Sequence, residues 1–471
     1  MKENSVSVHN DPIQAGTSLD NKDSCPLASP RPALRLIDAI VLITGIVIGA
    51  GIFRSPSVVA ANSPDWYWFL GVWVLGGLIS LIGALCYSEL SSAFPSAGGD
   101  YHFLKMAFGK GFSFLFAWAR IAVIQTGSIA LLAFIIGDYM SQLFPLGNYS
   151  ASVYAIGMVF LLTLINVLGI QFGTGAQKLL SALQFAGILI LIVIGFVVEP
   201  DAAVVAAQQS QVSDAPSTLS LALIFVLLTF GGWNEAAYIS SELKTGSRKM
   251  SMVLIVSILI ITIVYLLINM AFLNVLGLQG IAASKAVGVD MMRATTGEVG
   301  VVLIGVLVSL SALTSLNTTI FTGARSNYAL GKDFKMFSFL GKWDGKKSAP
   351  VNSLVLQGVI AAALIVFGAF ARNGFEAMVD FTAPVFWFFF LATGVGLMVL
   401  RVKRPEVARP FKVPLYPVTP VLFIAVSGYL LYSSLSVTGM GALLGVALLV
   451  AGLIFYFLFR EKPAKAGTLT K

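Results

Sequence analysis

The chain has 471 residues, 57% of them hydrophobic and only 11% charged, with a formal net charge of +8. A soluble protein of this length would carry about a quarter charged residues, so this much apolar surface requires the bilayer as its solvent. Two cysteines (Cys25, Cys86) and two histidines (His9, His102) exclude a disulfide scaffold, a cysteine-rich metal site and the usual zinc constellations.

Residues 1–36 are polar and mixed in charge and read as a disordered cytoplasmic tail. No cleavable signal peptide opens them, so the first membrane segment is expected to direct insertion. Apolar runs of about 20 residues fit a hydrocarbon core about 30 Å thick. Twelve follow in order, at 37–61, 67–90, 110–140, 151–169, 175–198, 218–241, 251–277, 300–324, 351–371, 376–400, 415–435 and 438–459. They predict an all-α polytopic membrane protein of about 12 transmembrane helices, numbered below as spans 1 to 12. Residues 461–471 form a second cytoplasmic tail.

Loop charge orients the spans. With the N-terminus in the cytoplasm, every Lys and Arg falls on the inward side except Arg54, Arg120, Lys285, Arg293 and Arg372, as the positive-inside rule requires. Clusters between spans 8 and 9 (Arg325 to Lys347) and spans 10 and 11 (Arg401 to Lys412) are two examples, and the acidic loop 199–217 falls outside. The basic character is thus topological, no nucleic-acid role is expected, and both termini lie in the cytoplasm. The predicted location is the cytoplasmic (inner or cell) membrane.

Two spans carry glycine at mid-membrane. Span 1 reads Ile46-Val47-Ile48-Gly49-Ala50-Gly51-Ile52-Phe53, and span 6 reads Thr229-Phe230-Gly231-Gly232-Trp233-Asn234-Glu235. Glycine costs a helix interior about 1 kcal/mol relative to alanine. One such cluster alone is equally a close-packing GxxxG contact. The second falls five spans after the first, and an odd repeat inverts the two halves. Paired interrupted segments at corresponding positions point to a transporter site. Unwound N–H groups suit a carboxylate and freed carbonyls suit an ammonium group, so an α-amino acid matches both.

The stretches IGAGIF (48–53), ELSSAFPSAGGDYHFL (89–104), FGGWN with a following SEL (230–243), SLNTTIF (315–321) and RPEVARPFKVPLYP (404–417) occur in this order. Together they resemble the amino acid–polyamine–organocation superfamily, near its L-type amino acid transporter branch and bacterial relatives. The resemblance runs from about 37 to 460. It implies a leucine-transporter-type 5+5 inverted repeat with discontinuous helices 1 and 6, residues 37–198 and 218–400 being the two repeats and 415–460 an appended pair. It further implies that N–H groups around Gly49, Ala50 and Gly51 hold a substrate carboxylate. Carbonyls near Ile46 and Val47, with Phe230 and Gly231, take the amino group, and Ser128, Thr229 and Asn234 are pocket neighbours. Leu228 stands where that branch often has a gating phenylalanine.

Coupling is less direct. Where related carriers place a lysine in span 5, this sequence has Gln184, while Lys178 sits near the cytoplasmic start of the span, where snorkelling explains it. Ser311, Thr314, Ser315 and Thr318 in span 8 offer oxygens to sodium, or bond to carbonyls of their own helix. Proton and sodium coupling both stay open. Glu235 follows the span 6 break and is a titrating or selectivity element, or else a structural partner of Arg120 in span 3. Asp138 and Asp380 read as interface residues or outer-gate partners. Glu89 and Glu242 face Lys244, Arg248 and Lys249 as inner ion-pair candidates. Trp66, Tyr67 and Trp68 form an interfacial belt.

The expected function is secondary active transport of an amino acid, most simply a neutral one, by alternating access. The alternatives are a polyamine or cationic amino acid exchanger, or an amino acid sensor that moves little. No nucleophile, base or metal set converges, and the G-x-G at 49–51 follows no strand. No enzyme activity, metal or cofactor is therefore expected, and the oligomeric state is left open.

Overall fold

The computed structural model describes residues 35–96, 98–169, 174–201, 218–242, 249–345, 347, 349–371, 373–437 and 440–459. Regular structure among them is helical, apart from one isolated bridge between Asp344 and Ala349. Lipid offers no hydrogen-bond partners, and a helix satisfies its backbone internally. Ten helices are long and apolar enough to cross a membrane. Span 1 is a bent pair, Ala39–Phe53 and Ser55–Ala61, inclined at 56°. Span 5 lies in the helix Thr174–Val197, whose shorter apolar part is Ala182–Val197. The protein is therefore a multi-pass, all-α membrane protein.

Several boundaries differ from the sequence expectation for local reasons. Span 2 begins at Trp66, where the Asp65 side chain accepts from the Trp68 N–H at 2.8 Å and caps the helix. Span 10 begins at Gly374, where the Asn373 side chain accepts from the Phe375 and Glu376 N–H groups. Span 8 runs on to Asp333, well past the apolar run. Two further helices, Gly99–Phe108 and Val287–Thr295, lie in connections that hydropathy alone marks as loops. Span 3 is helical over Lys110–Ala119 and Gln125–Leu143, joined by a π-helical turn at Arg120–Ile124.

Glycines set how closely the spans approach. Along span 2, a Cβ on Gly76 would lie 2.3 Å from Val226 Cγ1, one on Gly77 2.4 Å from Thr262 Oγ1, and one on Gly83 2.7 Å from the Trp233 ring. Span 2 thus packs against both halves of span 6 and against span 7. At Gly137 in span 3, a Cβ would lie 2.1 Å from the Ala151 carbonyl oxygen of span 4.

Glu89, which ends span 2, is 1% exposed. It accepts from Arg401 Nε at 2.7 Å and from the Val413 N–H at 2.7 Å, and pairs with Arg409 at 3.3 Å. This corrects the expected pairing with the basic run after span 6. There Lys244 and Arg248, like the side chain of Glu242, lie outside the described residues, as does Arg372. The reason is register: spans 2 and 10 end side by side, which brings the arginines of span 10 and its following loop onto Glu89.

Two glycine substitutions separate packing from propensity. Gly137→Ala forces a side chain into the backbone of span 4, and overpacking of this kind costs about 1–3 kcal/mol. Gly71, on an open face of span 2, has nothing within 4 Å of its Cβ position. Thermal unfolding in detergent is expected to fall for Gly137→Ala and to hold or rise for Gly71→Ala.

Candidate functional site

The first helix of span 1, Leu36–Val47, stops because Gly49 turns extended (φ −104°, ψ −164°). The Ile48 N–H still donates to the Thr44 carbonyl at 2.8 Å, and the Gly49 N–H reaches only Val47, at 2.7 Å. The chain resumes as a 3₁₀ turn, Ala50–Phe53, and then as Ser55–Ala61 with Pro56 in its first turn. The N–H groups of Ala50 and Gly51 open a new turn, where no preceding carbonyl of that turn can take them. In span 6, Leu219–Thr229 ends at Phe230 and Gly231. Gly232 adopts φ +106°, a left-handed conformation that glycine takes without steric cost. The chain then continues as the 3₁₀ segment Trp233–Glu242.

The two breaks meet. A Cβ on Gly51 would lie 3.5 Å from Thr229 Cγ2, and one on Gly232 would lie 3.0 Å from Ile46 Cγ2. A Cβ on Gly49 would lie 3.8 Å from Ser315 Oγ of span 8. Ile46, Gly49, Gly51, Thr229 and Ser315 therefore sit around one point where three helices converge.

A residue the sequence reading passed over ties them together. Tyr265 of span 7 is fully buried, its hydroxyl 2.8 Å from the Val47 carbonyl oxygen and 3.0 Å from that of Thr229. One phenol thus bridges a freed carbonyl from each break. Its ring stacks edge-on against Phe230 at 5.0 Å and Trp73 at 5.6 Å. Gln184 donates its side-chain amide to the Ile48 carbonyl. Span 5 therefore still reaches the span 1 break, through a neutral group. The Thr229 hydroxyl lies 2.6 Å from Ser55 Oγ and 2.7 Å from the Phe225 carbonyl oxygen, which locks the facing half-helices together.

These bonds redistribute the expected roles. The Val47 carbonyl and the Gly49 N–H, both assigned to substrate, already have protein partners, whereas Ala50 and Gly51 keep theirs at the head of a turn. Phe230 is a buried wall, and Gly231 follows the last carbonyls of its helix closely. Ser128 is half-buried and donates to the Ile124 carbonyl of its own helix at 2.7 Å. In span 8, Thr314 and Thr318 likewise donate to Leu310 and Thr314 at 2.9 Å. Ser311 Oγ is buried with no hydrogen-bond partner among the described residues.

Charge is segregated to the two sides of the breaks. On one side Arg54, 5% exposed, lies 3.4 Å from Asp138 and 3.9 Å from Glu376, donates to Ser57 Oγ at 2.7 Å and faces the Phe375 ring. Next to it the Tyr139 hydroxyl donates to the Phe53 carbonyl at 3.1 Å. On the other side Arg120 and Glu235 pair at 3.4 Å, the Glu235 side chain being 37% exposed. The π-helical turn at Arg120–Ile124 widens span 3 at the residue that makes this pair, a feature often found at functional positions. Asn234, 8% exposed, is buried beside Trp233, whose ring stacks edge-on against Tyr87 at 5.1 Å.

The amino acid permease family profile matches residues 34–459. The chain belongs to this family. The b(0,+)-type amino acid transporter 1 of Rattus norvegicus is 31% identical over 431 residues, covering 90% of this chain and 87% of the rat protein. Its Homo sapiens counterpart is 29% identical over 443 residues, covering 92% of this chain and 88% of the human one. The large neutral amino acids transporter small subunit 2 of Mus musculus is 28% identical over 449 residues, at 92% and 82% coverage. The permease is therefore an amino acid transporter and not an enzyme.

Tyr265→Phe removes the hydroxyl shared by the two carbonyls. Leaving a buried acceptor unsatisfied costs about 1–3 kcal/mol. The variant is expected to fold, to melt lower in detergent and to take up amino acid with reduced affinity, measured as KM in proteoliposomes.

Proposed function

We propose that this permease carries a neutral amino acid across the cytoplasmic membrane by secondary active transport with alternating access. The observation that carries the proposal is the meeting of the two breaks, with Gly51 against Thr229 and Gly232 against Ile46. At that point the N–H groups of Ala50 and Gly51 receive the substrate carboxylate, and the Ile46 carbonyl with those of Phe230 and Gly231 receives its ammonium group. The side chains of Thr229 and Asn234 border it. Residues 37–198 and 218–400 act as inverted repeats, with 415–460 appended and both termini cytoplasmic. The basic loops support that orientation.

A neutral zwitterion is favoured because the nearest carboxylate to the span 6 break, Glu235, is balanced by Arg120 at 3.4 Å. In this orientation the buried Arg54 lies toward the outside and the part-exposed Glu235 toward the inside. The relatives named as transporters of amino acids, one of them of large neutral amino acids, support the same substrate class. Polyamine or cationic amino acid exchange is the second reading, favoured by the exposure of the Glu235 carboxylate. Sodium coupling would draw on Ser311 and Ser315.

Uptake into proteoliposomes from a panel of labelled amino acids and polyamines, with and without internal substrate, tests the proposal. Neutral amino acids are expected to enter and to accelerate when the vesicles are preloaded. Binding without counterflow would identify a sensor, and failure of the whole panel would overturn the reading. Glu235→Gln removes one negative charge beside Arg120 and is expected to weaken cationic substrates relative to neutral ones. An unchanged substrate profile and pH dependence would remove Glu235 from the selectivity machinery.

A further inference from the structure

Asp100 is a carboxylate that no role so far described uses. It lies in the first turn of the helix Gly99–Phe108, in the connection between spans 2 and 3 and outside the membrane-crossing segments. An acidic residue in a first turn is normally solvated and stabilised there by the helix dipole. Asp100 instead points inward and is 4% exposed, and its Oδ1 has no hydrogen-bond partner among the described residues. The helix starts at Gly99 with φ +45°, a conformation favouring glycine, which turns that first turn toward the bundle.

The groups facing it come from three elements. Tyr87 projects from span 2, Asn234 and Glu235 from the 3₁₀ segment after the span 6 break, and Arg120 from the π-helical turn of span 3. Other charged groups of this helix look elsewhere. Lys105 sits over the Tyr101 ring, Tyr101 donates to Asp333 at 3.0 Å, and Lys403 of span 10 reaches the Ala107 carbonyl at the far end. His102 is half-buried beside Phe103. Two carboxyls, Asp100 and Glu235, thus face one guanidinium, Arg120. With both ionised the three groups carry a net negative charge around a carboxyl that is itself only 4% exposed, and one proton brings the set to neutrality.

We propose that Asp100 is the proton-binding group of this permease, taking a proton from the cytoplasmic side and passing its charge state through Asn234 and Arg120 to the span 6 break. This rests on the transport function proposed above. The step is a protonation alone: the carboxylate accepts H⁺ to become a neutral acid and returns it when the site is exposed to the other side. Asn234 is the link, because its side chain borders both Asp100 and the proposed substrate position. Neutral Asp100 no longer draws on Arg120, which is left to Glu235 alone, so the 3₁₀ segment Trp233–Glu242 is held differently in the two states. Burial pushes the Asp100 carboxyl up to about 6 and the Glu235 charge adds to this, against Tyr87, Arg120 and Asn234, which favour the ionised form. The group therefore titrates within the range over which a proton gradient acts.

The experiment uses the full chain in liposomes loaded with a pH-sensitive dye and supplied with tritiated leucine or alanine. Wild-type protein is expected to acidify the lumen on amino acid addition and to take up more under an inward proton gradient, with a midpoint near pH 6. Asp100→Asn is expected to keep counterflow without a gradient and to lose both the acidification and the gradient response. Tyr87→Phe removes a hydroxyl that favours the ionised carboxyl, so its midpoint moves to higher pH; this variant decides the matter if Asp100→Asn does not fold. The folded state holds the Asp100 proton more tightly than the unfolded chain. The stability it adds is therefore present below about pH 4 and lost as pH rises to about 6, so the melting advantage of wild type over Asp100→Asn shrinks across that window. Retained gradient response in Asp100→Asn, or amino acid exchange with no proton movement in wild type, overturns this inference alone. Absence of exchange for every amino acid overturns the function on which it rests.

Discussion

The absence of water inside the bilayer governs this molecule. A backbone group released from a helix at mid-membrane has no solvent to fall back on, so every break must be met by protein or by ligand. Spans 1 and 6 break opposite each other, and the surroundings read as the answer to that problem. Tyr265 takes one carbonyl from each break, Gln184 takes the Ile48 carbonyl, and Thr229 with Ser55 fastens the half-helices that face each other. The N–H groups at the start of the Ala50–Phe53 turn are left, which is why the same constraint that shapes the fold also defines the proposed ligand.

That logic explains what was legible in the sequence. Glycine clustered at mid-span is a local signal, and its recurrence five spans later a topological one, so Gly49, Gly51, Gly231 and Gly232 were found together with their neighbours Ile46 and Thr229. The all-helical membrane architecture followed from hydropathy for the same reason: apolar length is a property of contiguous sequence. Tyr265 was not legible, because a lone tyrosine in an apolar span looks like core packing until span 7 is placed against both breaks. Asp100 was hidden in a motif, since nothing local distinguishes a first-turn carboxylate that turns inward from one that faces solvent. The pairing of Glu89 with Arg401 is not legible either, because partners 312 residues apart in the chain are adjacent only once spans 2 and 10 pack.

Gln184 meets the span 1 break through a neutral amide. A lysine there would bring its own proton and charge, whereas an amide brings only a donor. Titratable charge lies instead on the other face of span 6, where Arg120, Glu235 and Asp100 converge. A neutral contact and a charged cluster thus lie on two sides of the same helix break.

The glycine ridge on span 2 has a mechanical meaning. Gly76 meets Val226 before the span 6 break, Gly83 meets Trp233 after it, and Gly77 meets Thr262 of span 7. A rod whose glycines seat the side chains of both segments of its neighbour this tightly resists one segment sliding past it. In the proposed transport cycle the segment Trp233–Glu242 therefore carries span 2 along with it, and displacement at mid-membrane arrives undiminished at the far end of span 2. There Glu89 is clamped by Arg401 and Arg409, so the anchor between moving and stationary parts lies at the membrane edge, far from the amino acid.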